Sequence, residues 1–120
     1  MSSLKKEMKR FKDAAHGIAV FFKEGEHAKF HLFASLLVLC AGIFFQVSKY
    51  EWMLLLFCIA IVLITEALNT AVELLGDMVH KEIHPKMRKI KDMAAGAVLI
   101  AAICAAIVGL IIFIPYILKL

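Results

Sequence analysis

Residues 52–77 read WMLLLFCIAIVLITEALNTAVELLGD: an apolar run from Trp52 to Ile64, then Glu66, Asn69, Glu73 and Asp77 at steps of three, four and four. On a helix those intervals stack the four polar side chains along one face. Carboxylates at the end of a membrane-crossing segment are expensive unless they are paired, bind metal or face water. Two readings are open from this stretch alone: chemistry at the membrane surface, or solvation of an ordinary helix end.

Outward from it, hydropathy sets the class. In a chain of 120 residues, a hydrophobic fraction of 62% and a mean hydropathy of +0.86 exceed what a soluble domain carries. The length allows one domain, 1–120. Three stretches, Phe30–Val47, Trp52–Leu68 and Ala94–Leu118, approach or exceed the ~20 helical residues that cross a bilayer. Lys49 and Glu51 leave only a tight hairpin between the first two. The first 29 residues hold no apolar signal-peptide core, so the first span is expected to be its own uncleaved insertion signal. At 4–28, Leu4, Met8, Phe11, Ala15, Ile18 and Phe22 recur at three and four, with Lys5, Lys9, Lys12 and Asp13 on other faces. That pattern predicts an interfacial amphipathic helix in the headgroup plane, which either walls off a site or anchors the chain. The expected architecture is therefore an all-α integral membrane protein: a surface helix over 4–28 and transmembrane helices over 30–47, 52–79 and 92–118.

Charge orients it. Lys5, Lys6, Lys9, Arg10, Lys12, Lys23 and Lys29 precede the first span, and Lys81, Lys86, Arg88, Lys89 and Lys91 lie between the second and third. The positive-inside rule places the N-terminus and a 77–92 loop in the cytoplasm of a multi-pass cell-membrane protein. The net charge of +4 is better explained by anionic lipid headgroups than by nucleic acid, for which no motif is present.

Other features narrow the chemistry. Ala94, Ala97, Ala101, Ala105 and Gly109 form a small-residue stripe, a packing surface within or between subunits. Cys40, Cys58 and Cys104 are widely spaced within the spans and read as small apolar residues. His27 and His31, and His80 and His84, are four apart, but neither pair has a third metal ligand at standard spacing. They read better as interfacial or solvated, and His84-Pro85 reads as a turn. No Walker A loop, protein-kinase signature or G-x-S-x-G occurs. What remains is a cluster of hard oxygen acids suited to Mg²⁺, an amide at Asn69, and cationic side chains ending in Lys91-Asp92. A membrane phosphotransferase or a cation pathway would both use these groups.

Glu66-Ala-Leu-Asn69-Thr-Ala-Val-Glu73-x-x-x-Asp77 resembles the E-x-[LI]-N-[ST]-A-[IV]-E-x-x-x-D signature of the prokaryotic diacylglycerol kinase family. Lys91-Asp92-Met-Ala-Ala-Gly-Ala-Val-Leu-Ile resembles that family's K-D-x-[AG]-[AS]-x-A-V-L segment. The likeness covers essentially the whole chain, and the His84-Pro85 turn and the Gly109–Pro115 ending resemble the undecaprenol kinase branch. The resemblance implies a homotrimer with active sites shared between neighbours, and transfer of phosphate from ATP to a lipid alcohol with Mg²⁺, undecaprenol ahead of diacylglycerol. It implies Glu66 as catalytic base, also touching the acceptor with Asn69 and Ala95. It implies Glu73 as metal ligand, and Asp13, Glu73, Asp77, Glu82, Ile83, His84, Lys91 and Asp92 as nucleotide contacts. Aligned without gaps from Gly17-Ile18 to His31, the family's second metal-binding acid falls on Gly25, between Glu24 and Glu26. Either a neighbouring glutamate substitutes there, or the second metal site is weakened. His27 stands where the family commonly has Asn, and Ala95 where it often has Ser.

Overall fold

A computed structural model describes residues 2–79 and 84–120, and among them all regular structure is helical: α1 (Ser3–Glu24), α2 (Ala28–Phe45), α3 (Lys49–Val79) and α4 (Pro85–Leu118). The last three are long and apolar enough to cross a membrane. At 31 and 34 residues, α3 and α4 rise about 46 and 51 Å at ~1.5 Å per residue. Both outrun a hydrocarbon core of about 30 Å, so one end of each has to leave it.

α1 starts where the Ser2 hydroxyl accepts the Lys5 N–H at 3.3 Å, an N-cap that satisfies one orphan donor. Its Leu4, Met8, Phe11 and Ile18 are exposed, and only Phe21, near its far end, is buried. An apolar stripe that the other described residues leave uncovered suits a lipid interface. Gly25 closes the helix in extended geometry (φ −67°, ψ 125°), its N–H donating to the Phe21 carbonyl at 2.7 Å. The turn into α2 is then tight, with Ala28 fully buried.

α2 ends at Gln46, which adopts left-handed geometry (φ 51°, ψ 53°), while the Gln46 and Val47 N–H groups reach back to Gly42. Ser48 and Glu51 then form a reciprocal cap on α3: the Ser48 N–H donates to Glu51 Oε1 at 2.9 Å, and the Glu51 N–H donates to Ser48 Oγ at 3.2 Å. This is the Ser-x-x-Glu capping box, and it sets the hairpin that Lys49 and Glu51 mark in the sequence. Gly42 is required here by close approach. A Cβ on it would stand 2.6 Å from the Trp52 ring.

α3 packs chiefly on α4, around a core of Val47, Leu55 and Ile112 flanked by Trp52, Phe45, Phe113 and Tyr116. α4 departs from the sequence expectation: it begins at Pro85, not at 92. The physical reason is local. The His84 side chain accepts the Lys86 N–H at 3.2 Å, and proline suits the first helical position because it has no N–H to leave unpaired. Lys86, Arg88, Lys89 and Lys91 therefore stand on the first turns of α4 and not in a loop. The small-residue stripe also divides. Ala101 is buried, whereas Ala105 and Gly109 line an open groove, and a Cβ at Gly109 would meet nothing.

Candidate active site

The polar row on α3 is graded by depth. Glu66, Asn69 and Thr70 are buried, Glu73 is half-buried and Asp77 is exposed. Glu66 lies about 21 Å along the axis from Trp52 and Glu73 about 31 Å, at ~1.5 Å per residue. The deepest acid thus sits inside apolar surroundings and the others climb out of them.

A buried carboxylate must find compensation. For Glu66 it comes from α2: the His31 Nε2 stands 3.4 Å from Glu66 Oε2, with both side chains largely enclosed. Glu66 Oε1 has no hydrogen-bond partner among the described residues. One turn on, Asn69 Nδ2 donates to Glu73 Oε1 at 3.4 Å, while Asn69 Oδ1 is buried without a partner. Such an orphan oxygen costs about 1–3 kcal/mol, and tends to persist where a ligand completes it. Thr70 donates to the Glu66 carbonyl at 3.0 Å, so this hydroxyl serves the helix and not the row.

At the end of the row Asp77 pairs with Lys91 of α4 at 2.6 Å. Exposed pairs contribute at most about 1 kcal/mol, but this one ties the far end of α3 to the first turns of α4. Gly76 makes room for it, since a Cβ there would meet Lys91 Cε at 2.8 Å and the Met87 sulfur at 2.9 Å.

The structure therefore brings Glu66, Asn69 and Glu73 together and continues the row through Asp77 to Lys91. His84 caps α4. Asp13, Asp92 and Ala95 are exposed and make no hydrogen bond or ion pair with the row among the described residues. Glu82 and Ile83 lie outside the described residues, as does His80. Among the described residues no three His, Cys, Asp or Glu side chains converge as a metal cage. At Gly25 a Cβ would lie 2.7 Å from the Phe21 carbonyl oxygen and 3.0 Å from Ala28 Cβ. This corner, as folded, has no room for a side chain, and the flanking Glu24 and Glu26 are both exposed.

His31 is the residue that sequence reasoning missed. Its four-residue spacing from His27 suggested a weak metal pair or solvation, and nothing linear connects it to Glu66. It also forms one end of a groove of about 320 Å³ between α2, α3 and α4, whose other walls include Ser35, Cys58, Val62, Ala105 and Gly109. The groove is almost wholly apolar, and its His31 end lies one helical turn from Glu66 on α3, at Val62.

Sequence comparison adds to this geometry. Residues 12–113 match the family described as prokaryotic diacylglycerol kinase. The undecaprenol kinase of Bacillus subtilis is 35% identical over 114 residues, 95% of this chain and 93% of that protein. A diacylglycerol kinase of Synechocystis is 34% identical over 92% of this chain, which spans 63% of that protein's length. The diacylglycerol kinase of Escherichia coli is 36% identical over 74 residues, 62% of this chain and 61% of its own length.

Proposed function

This chain belongs to the prokaryotic diacylglycerol kinase family of lipid kinases, and we propose that it moves the γ-phosphoryl group of ATP to a membrane alcohol, undecaprenol in preference to diacylglycerol. The observation that carries the reading is the buried Glu66 carboxylate, with one oxygen 3.4 Å from His31 Nε2, one helical turn from a residue that lines an apolar groove. Phosphoryl transfer asks for a base at the attacking hydroxyl and for positioning and charge neutralisation at the phosphates. Glu66 Oε1 takes the hydroxyl proton as the acceptor oxygen bonds to the γ-phosphorus, and the bond to the β–γ bridging oxygen breaks to release ADP.

Glu73 is the metal ligand in this reading, next to the orphan Oδ1 of Asn69. Hard oxygens with open positions for phosphate suit Mg²⁺. When bound, the ion would neutralise charge on the phosphates. Asp13, Asp77, Glu82, Ile83, His84, Lys91 and Asp92 serve the nucleotide. Lys91 exchanges its Asp77 carboxylate for a phosphate, as a point-charge binder does. Asn69 and Ala95 face the acceptor. A homotrimer with sites shared between neighbours completes the arrangement, supported by the many exposed apolar side chains of α2, α3 and α4. The basic flanks of the spans orient the N-terminus and the start of α4 to the cytoplasm, where ATP is found.

Undecaprenol is preferred because the undecaprenol kinase relative is matched nearly end to end. The test is transfer from γ-labelled ATP by the purified protein in mixed micelles, with undecaprenol and diacylglycerol in parallel and with Mg²⁺ or chelator. Labelled undecaprenol exceeding labelled diacylglycerol, and both vanishing with chelator, is the expected result. No labelled lipid from folded, ATP-supplied protein would sink the kinase reading for these acceptors.

A further inference from the structure

We propose that His31 is a positioning residue for Glu66, its Nε2–H holding Oε2 so that Oε1 is turned to the hydroxyl of an alcohol lying in the groove. The proposal rests on Glu66 being the base. The His31 Nε2 stands 3.4 Å from Glu66 Oε2, and a ring nitrogen that carries its proton there donates to a carboxylate oxygen. A glutamate has three side-chain torsions, and in an apolar surround nothing else among the described residues fixes this one. Leaving it untethered would spread the base over several rotamers, and a misplacement near 1 Å costs reaction rate steeply.

His31 is itself held. Its backbone carbonyl accepts the Ser35 hydroxyl at 2.7 Å, and its ring meets Phe30 edge-on with centroids 5.5 Å apart. It lines the groove and stands 3.4 Å from the base. An acceptor whose chain lies along Cys58, Val62 and Ala105 would bring its hydroxyl to the His31 end, where Oε1 is free.

Replacement separates positioning from bulk. His31→Leu is expected to lower kcat about tenfold to hundredfold with the KM for ATP within about twofold, since the nucleotide contacts are untouched. His31→Gln extends an amide N–H to the Nε2 position and should recover most of the loss, whereas the shorter His31→Asn should not. Unfolding temperatures in micelles identify any variant that fails to fold. If Leu turns over like the parent, or if Gln is as slow as Leu while folded, the positioning role is wrong. The contact can be read without catalysis through the ¹⁵N shift of the His31 ring. Glu66→Gln should move Nε2 more than Nδ1, and an unmoved Nε2 would overturn the pairing. Glu66→Gln with parental kcat would instead overturn the base assignment, a result that this spectrum does not depend on.

Discussion

Glu51 and Glu66 stand on one helix about four turns apart, and their surroundings are opposite. Glu51 Oε1 accepts from the Ser48 backbone and from the Tyr116 hydroxyl of α4, and its own N–H is taken by Ser48. Around it Val47, Leu55 and Ile112 are buried against Phe45 and Trp52. Glu51 Oε1 carries both side-chain bonds, one to the turn that follows α2 and one to α4, and so ties those elements to α3. Glu66 is more deeply buried, yet it has one long contact to a histidine and a free oxygen, and one turn away Asn69 keeps a buried oxygen with no partner. The lesson is that burial alone does not mark a functional acid. Incomplete satisfaction in a buried place is the sharper sign, because a buried polar atom without a partner calls for an explanation and a ligand is one.

The largest effect should come from exchanging the two acids for amides. Glu66→Gln is expected to lower lipid phosphorylation by about 10²–10⁴-fold, the range for loss of a general base, with an unfolding temperature no lower than the parent's. Glu51→Gln should keep turnover and unfold earlier. Equal turnover in both variants would erase the contrast. Next, Tyr116→Phe removes the hydrogen bond to Glu51 and should lower the unfolding midpoint, read by denaturant titration in micelles. Turnover measured well below the transition should not change. Asn69→Leu tests the other end with the opposite sign. It removes the orphan oxygen at similar volume and with it only the long 3.4 Å Nδ2 bond to Glu73, so stability should hold or rise while phosphorylation falls. A variant that lost both would show that Asn69 is structural. The smallest effect is expected at Gln46, whose left-handed backbone favours glycine. Gln46→Gly should stabilise the α2–α3 turn by a few tenths to about 1 kcal/mol, without touching activity at the distant acids.

Much of the fold could be read directly. Apolar runs that approach or exceed a bilayer's span cannot be hidden in a domain of this size, so three long helices followed from hydropathy, and the amphipathic spacing of Leu4 to Phe22 called for a fourth. The shared face of Glu66, Asn69, Glu73 and Asp77 follows from helical periodicity alone. Helix ends were less legible, because they depend on polar caps that hydropathy averages away. Ser48-x-x-Glu51 and His84-Pro85 were the available signals for the starts of α3 and α4. The start at Pro85 puts the basic residues on helix where a loop was expected.

What the linear chain determined by itself was whatever one helix can express: which segments are apolar, which side chains share a face, and how far apart along an axis the acids stand. Tertiary structure decided every relation between helices, because contacts distant in sequence leave no periodic trace. It set His31 of α2 against Glu66 of α3 and joined Asp77 to Lys91 and Glu51 to Tyr116. It left Ala105 and Gly109 lining a groove, and it left Gly25 no space for a side chain. Depth and partnership, which set how a carboxylate behaves, are properties of that packing, and the same glutamate side chain is a clasp at one end of α3 and a candidate base toward the other.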